Sequence, residues 1–382
     1  MTATVPSMIG QFNMENIKLL LEMDYEVHVA CNFEDRSVWT EERVSEFKKQ
    51  LTNMGVKKIQ IEYARTPYDI LKLIRSYSEL RKLIQREKYT CLHCHTPVAG
   101  MIARLAAKGT ETKVIYTAHG FHFYKGAPLQ NWLLYYPVEK WLSRYTDVLI
   151  TINKEDYQRA KEKFHAKETK YIPGVGVNTA RFTACKVDKM QKRKELGVNM
   201  DDFLLLSVGE LSERKNQRII IDALRVMKED GSIGKIIYLA VGQGYMQKTF
   251  EELIKKYRIE DHVQLLGFRT DIDELCKVAD CFVHPSIREG LGIAPLEAMA
   301  AGLPLISASV NGIKDYTEDG VSGCCINPMD VDQMINAIKK MRNNDNFRSE
   351  CGFNNIISAK KFDIKNTEKI MKKLYGEFMH RR

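Results

Sequence analysis

No run of about 18 apolar residues occurs in these 382 residues, so no segment is expected to span a bilayer as a helix. The opening MTATVPSMIGQF has neither the basic nor the apolar segment of a secretory leader, which argues against export. Nine cysteines, an odd number without framework spacing, suit a reducing cytosol rather than a disulfide scaffold. Metal-ligand spacing is also missing. Cys91, His93, Cys94 and His95 lie in one strand-like run, where alternation sends Cys94 to the face opposite the other three. No second Cys/His cluster completes four ligands, which leaves His95, at the end of the run, as a candidate cleft residue. Gly242-Gln243-Gly244 begins like a dinucleotide fingerprint, but Gln247 stands where the third glycine belongs, so a turn closing a strand is the better reading. The formal charge of +9 is mild and dispersed: residues 1–180 hold 26 Lys+Arg against 20 Asp+Glu, and Lys360–Arg382 hold eight against three. Such a balance suits small anionic ligands or an anionic membrane surface, and argues against a nucleic-acid partner.

What the chain does have is strand–helix alternation throughout. Short apolar runs at Glu26–Asn32, Lys57–Tyr63, Tyr89–His95, Lys113–His119 and Asp147–Asn153 read as buried parallel strands. Ile17, Leu20 and Leu21 mark one helical face between them, and Ile70, Ile74, Tyr77, Leu80 and Ile84 another. The first strand is short, Thr2–Val5, and a polar loop, Pro6–Phe12, is expected after it. Pro and Gly in YIPGVGVNTARF, Tyr171–Phe182, mark a linker. A second alternating unit follows, with strands at Phe203–Glu210, Lys235–Gly244, Val263–Phe268, Cys281–Pro285, Pro304–Ser309 and Gly323–Pro328. The fold class is therefore α/β, with two Rossmann-like doubly wound domains facing a cleft: 1–178, 179–360, and a C-terminal helix, 361–382, crossing back to the first.

The second unit is organised around SIREGLGIAPLEAMAAG, Ser286–Gly302. A strand enters a loop holding Glu289, Gly290 and Gly292, then a helix whose first turn is expected to carry Pro295 and Glu297 and which Gly302 closes. Free N–H groups at the positive end of a helix dipole make an anion site. An ordinary strand–helix junction with two solvated glutamates reads equally well on spacing alone. In GELSERKN, Gly209–Asn216, Arg214 and Lys215 stand on a strand-end loop where cations could hold a diphosphate or simply be solvated. His119-Gly120 ends another strand, where a close approach to substrate competes with a core histidine. Asp271 and Asp273 open the helix DIDELCKVA, with Asp271 expected as its N-cap rather than as part of a metal pair. The Trp/Tyr-rich segment Asn131–Tyr145 is expected to be mostly core, a membrane-facing role being the lesser reading.

Taken together these residues resemble the retaining, nucleotide-sugar-dependent glycosyltransferases of family 4, with the GT-B fold, over nearly the whole chain. Glu289 and Glu297 match the family's E-x7-E element in the context EGLGIAPLEAMAAGLP, and GELSERKN aligns with its G-R-L-x-x-x-K-G. AHGFHFYKGAP and the helix after it look like the branch that builds capsular, exopolysaccharide and other lipid-linked bacterial glycans.

The resemblance implies an enzyme transferring a hexosyl or N-acetylhexosaminyl group from a UDP-sugar to a polyprenyl-diphosphate-linked or oligosaccharide acceptor. No cofactor or metal is expected, the nucleotide sugar being a substrate. Lys215, helped by Arg214 and the Gly209 turn, would bind the donor diphosphate. Gly290, Leu291 and Gly292 would hold the distal phosphate through their N–H groups, and Glu297 the ribose hydroxyls. Glu289 would touch the donor sugar, and His119 the sugar or acceptor from the other domain. Phe268, Arg269 and Thr270 would grip the base largely by backbone, and Gly10 would line a loop near phosphate and acceptor. Glu210 stands where the family has arginine, which shifts charge duty to Lys215 and Arg214 or requires Glu210 to turn away. A cytoplasmic enzyme, peripheral on the inner membrane face, is the implied location. A UDP-sugar 2-epimerase on the same fold and a non-catalytic partner subunit are the alternatives.

Overall fold

Twelve strands and the helices between them form two units in the computed structural model, which describes residues 1–66 and 68–379. The first unit is Met1–Val175 with Lys365–Arg382, of which 380–382 lie outside the described residues; the second is Gly176–Ile364. Both divisions fall within a few residues of the expected 178/179 and 360/361.

In the first unit, β1 (His28–Cys31) pairs with β2 (Lys57–Gln60), and β3 (Cys91–His95), β4 (Lys113–Ala118), β5 (Val148–Thr151) and β6 (Glu168–Tyr171) form a second parallel ladder. Residues 1–4 lie between the two ladders and join them. Thr2 N–H donates to the His93 carbonyl at 2.8 Å, and His95 N–H donates to the Thr2 carbonyl at 2.9 Å. On the other side Ala30 N–H donates to the Met1 carbonyl at 2.9 Å and Asn32 N–H to the Thr4 carbonyl at 3.2 Å. The short first strand is thus a central one, and counted from it the order is 3-2-1-4-5-6-7. The inner strands are apolar because helices cover both faces of a parallel sheet, and all four residues of β1 and of β5 are buried; β2, expected to be buried, is a mostly exposed edge strand. The C-terminal helix Ile364–Met379 belongs to this unit through Tyr375, whose hydroxyl meets His93 Nδ1 at 2.8 Å, and through Lys113 Nζ, which donates to the Phe378 carbonyl at 2.8 Å.

In the second unit the spatial order is β12 (Gly323–Ile326), β11 (Leu305–Ala308), β10 (Cys281–His284), β7 (Phe203–Val208), β8 (Ile236–Val241) and β9 (Val263–Gly267), all parallel. Numbered within the unit this is 3-2-1-4-5-6, whose direction of winding reverses between β7 and β10. Ligands of open α/β sheets collect outside the carboxyl ends of the strands at that reversal.

Several expectations need correction. Pro6–Phe12 is a helix rather than a loop; Pro6 occupies its first turn, where a missing N–H costs nothing. The linker is irregular over 172–178, where the two units divide, but the expected span also takes in the end of β6, a polar edge strand without the apolar run that identifies the others, and the start of a helix, Thr179–Ala184. Along the helix Ile70–Glu87, Leu80 and Ile84 are buried, but Ile70, Ile74 and Tyr77 face outward. Trp132, Tyr135 and Tyr136 pack only partly against the core, while Trp141 is exposed. Asp271 occupies the N-cap position of its helix without a capping bond, because its carboxylate is engaged by Lys192 at 2.7 Å and by Arg269. Glu297 lies in the second turn of its helix, which starts at Ile293.

Candidate functional site

The loops after β7 and β10 meet at the reversal of the second sheet. After β7 the chain turns at Gly209, and Asn216, with a left-handed φ of 58°, anchors the end of the loop by donating to the carbonyls of Pro285 (3.2 Å) and Pro328 (2.7 Å). This sets Lys215 and Arg214 against the β10 loop. Lys215 Nζ meets Glu289 Oε2 at 2.5 Å, and Arg214 Nη1 meets the same carboxylate at 3.3 Å. Ile287 N–H donates to the Arg214 carbonyl at 2.9 Å, tying the two loops together through the backbone as well.

Burial on its own would raise the Glu289 carboxyl, but the Lys215 charge above all, with Arg214, overcomes it and holds it at about 2. Burial, then the Lys215 charge, pushes the His284 imidazole down to about 3, so it stands neutral beneath Glu289, with Nε2 at 3.7 Å from the carboxylate. Two cations therefore face one carboxylate. Glu210, in the family's arginine position, is exposed, with its carboxylate 3.9 Å from Arg214.

Glycine is required where the loop enters the helix Ile293–Ala301. Gly292 has φ of +89°, and a Cβ there would sit 3.1 Å from Glu289 Cγ, 3.2 Å from His284 Nε2 and 3.2 Å from the Tyr316 hydroxyl. As N-cap it has no side chain to satisfy the first N–H groups of the helix, which leaves them for an incoming anion. The Gly242-Gln243-Gly244 turn has a packing explanation. A Cβ at Gly242 would fall 1.9 Å from the Gly209 carbonyl oxygen, so the β8 loop supports the β7 loop backbone to backbone.

Glu297 lies in different company. Burial pushes its carboxyl up to about 7, Arg181 opposing and Asp273 adding to the shift. Arg181 donates to both Asp273 oxygens, at 2.8 and 3.1 Å, and to the Thr270 carbonyl at 3.0 Å. Phe268 is exposed, and the Arg269 guanidinium is committed to Asp271 and Glu195.

In the first unit His119 follows β4. Its Nε2 lies 3.1 Å from Nδ1 of the buried His95, Phe12 is the ring next to it at 6.1 Å, and burial pushes it down to about 4. His93 is held by Tyr375 and by Thr117 at 2.8 Å each. Gly10 sits inside the Pro6–Phe12 helix, where a Cβ would fall 2.3 Å from the Trp39 ring; close packing explains this glycine without a ligand.

The second unit thus gathers Lys215, Arg214, Gly209 and Glu289–Gly292, with Glu297 and the Thr270 carbonyl beside Arg181 and Arg269 turned to Asp271 and Glu195. Sequence reasoning missed His284, Tyr316 and Arg181. His284 carried a readable signal, since it ends a buried strand as His119 follows one. Arg181 had none, because it lies in the stretch read as linker.

Two family models divide the chain: "Glycosyltransferase Family 4" matches residues 10–181, and "Glycosyl transferases group 1" matches residues 188–356. The putative glycosyltransferase EpsD of Bacillus subtilis is 39% identical over 382 residues, covering 99% of this chain and 96% of its own. The UDP-Gal:alpha-D-GlcNAc-diphosphoundecaprenol alpha-1,3-galactosyltransferase of Escherichia coli is 29% identical over 276 residues, 71% of each chain. Among solved structures, Anabaena Alr3699/HepE in complex with UDP and glucose superimposes with a TM-score of 0.78 at 20% identity, covering 98% of both chains. WaaG, involved in lipopolysaccharide biosynthesis, superimposes at 0.73 and 18% identity over 98% of both, a likeness of fold.

Proposed function

From the premise that this chain belongs to the family 4 glycosyltransferases, with the GT-B fold, we propose that it moves a sugar from a UDP-sugar to a lipid-linked glycan acceptor with retention of configuration, in the assembly of an exopolysaccharide or related surface glycan. The observation that carries this reading is the meeting of Lys215, Arg214 and Glu289 at the sheet reversal, beside a helix start whose N-cap is Gly292. UDP accompanies the HepE fold neighbour, and the galactosyltransferase relative is named for a diphosphoundecaprenol acceptor; both favour the same chemistry in this chain.

In this reading the donor diphosphate competes with Glu289 for Lys215. The cation changes partner from carboxylate to phosphate, Arg214 stays with either, and the loop amides Gly290–Gly292 take the distal phosphate. Charge that develops on the departing UDP meets groups already in place, which lowers the barrier without reorganisation. Glu289 stays ionised, its carboxyl being held at about 2, and so accepts from a sugar hydroxyl. Glu297 takes the ribose hydroxyls, the backbone of Phe268–Thr270 the base, and His119 the sugar or acceptor. The two cations and the amides carry the leaving-group charge, so transfer without a metal is part of the proposal.

Incubation with a panel of UDP-sugars, with and without lipid-diphosphate acceptor, tests it. UDP release dependent on acceptor, and lost in Lys215→Ala, is expected. Isomerised sugar without acceptor consumption would replace transfer by epimerisation, and silence with every donor would leave a non-catalytic subunit.

A further inference from the structure

We propose that the outward face of the helix Leu129–Leu142 is a docking surface for an anionic lipid bilayer. A helix on the surface of a soluble protein turns polar residues to water. This one does the reverse. Leu129, Leu133, Leu134, Val138 and Trp141 are 71%, 67%, 57%, 43% and 45% exposed, while the residues turned inward include the charged Glu139. Contiguous exposed apolar surface of this kind marks a contact with something apolar.

The charges say what that something is. Glu139 is the helix's sole acidic residue, and it is buried against Arg104 at 2.8 Å, its charge already matched. The chain flanking the apolar face is basic: Lys140 lies on the helix, Arg144 is exposed in the 3-10 turn that follows it, and Lys125 is exposed on the loop before it. An apolar strip with a basic rim fits the boundary between acyl chains and anionic headgroups, with Trp141 at the interface. A second protein copy would bring the same basic rim against itself, which disfavours that occupant.

Topology gives the surface a use. In a parallel sheet each helix begins at the carboxyl edge of the strand before it, so this helix starts on the rim where His119 follows β4. Tyr68, Ile70, Leu71 and Ile74, exposed at the start of the Ile70–Glu87 helix, lie at the same carboxyl rim further along the sheet, beyond β2. A protein seated along this helix keeps the helix start, and with it the end of β4, beside the bilayer that holds a lipid-borne molecule. The inference deepens the lipid-linked-acceptor reading and rests on it for its purpose. The binding itself is measured without donor or acceptor.

Vesicle flotation with a phosphatidylglycerol–phosphatidylethanolamine mixture, against pure phosphatidylcholine, is the test. The full chain is expected to float with the anionic vesicles and to partition into them about tenfold less when Leu133→Gln and Leu134→Gln are combined. Lys140→Glu with Arg144→Glu should weaken binding to anionic vesicles and leave the weak binding to phosphatidylcholine unchanged. Brominated lipid should quench tryptophan emission in the native chain and much less in Trp141→Phe. Unaltered UDP-induced thermal protection shows that each variant is folded. Flotation that is absent, or undiminished by the leucine pair, overturns the proposal. So does a dimer by light scattering that the same pair dissociates, since a second copy would then own the face. If vesicles bind as expected while no lipid-linked acceptor is used, the acceptor reading fails and the surface stands.

Discussion

Lys215 and Glu289 are each other's nearest counter-charge at 2.5 Å, with side chains only 14% and 12% exposed, so removing either leaves the other part-buried and badly compensated. Lys215→Ala is expected to weaken UDP binding about tenfold or more, a loss of roughly 1.4 kcal/mol, measured by titration calorimetry. Glu297 makes a pH prediction. Its carboxyl, raised to about 7 by burial, is mostly protonated in the folded protein at pH 6 and becomes ionised through neutrality. An ionised carboxylate accepts from two ribose hydroxyls, so UDP affinity should rise between pH 6 and 8, and Glu297→Gln should remove that rise. Stability runs the opposite way. The unfolded chain releases this proton near its ordinary value and the folded chain only near 7. The native protein therefore loses stability relative to Glu297→Gln as pH climbs from about 4.5 to about 7, by on the order of 2 kcal/mol. Thermal melts across that range check the sign. Lys215, Glu289 and Glu297 were singled out in the sequence by the family resemblance of their context, spacing alone leaving solvated side chains equally open. His284 carried the same strand-end signal as His119 and was passed over, whereas Arg181 carried none, since an arginine in a Pro/Gly-rich stretch looks alike whether or not it touches a site.

Among the elements, those closing the site tolerate little. Gly242→Ala would drive a methyl to within 1.9 Å of the Gly209 carbonyl at a φ of +139°, and the loop under Lys215 must shift. A loss of about 2–4 kcal/mol and a clearly lower Tm are expected, with UDP affinity falling alongside. Gly292→Ala is milder in space but also has positive φ, and it should weaken UDP binding more than it lowers Tm, because its methyl would press on Glu289 and His284. Strands were the best-read elements, since buried parallel strands announce themselves as short apolar runs. The polar edge strand β6 was the one passed over. Helical faces were read less well. Ile70 and Ile74 fit an inward stripe by periodicity alone, and only tertiary packing decides that the first turns of that helix point outward. The same holds for Pro6–Phe12: a proline and a glycine within seven residues read as a loop, and the stretch is a helix in which Gly10 lets the backbone close on Trp39.

For the whole molecule, the proposed reading puts the nucleotide's contacts in the second unit. UDP should slow amide exchange in the loops after β7, β9 and β10, with no comparable effect on β1–β6; hydrogen-exchange mass spectrometry reads this directly. Fold class and the two alternating units were visible from patterning because both sheets follow the same parallel rule. The joining role of residues 1–4 was not, since four residues carry too short a pattern to show that both neighbours will pair with them.

The discontinuity of the first unit has a consequence for synthesis on the ribosome. Its opening residues emerge first, yet they wait for β1 on one side and β3 on the other, and the Tyr375 hydroxyl that meets buried His93 is made only after all of Gly176–Ile364. The half of the protein that starts earliest is therefore finished last. A chain made only as far as residue 364 would hold all of the second unit and a first unit still short of its closing helix, a nascent state in which chaperones would find their substrate in the older half.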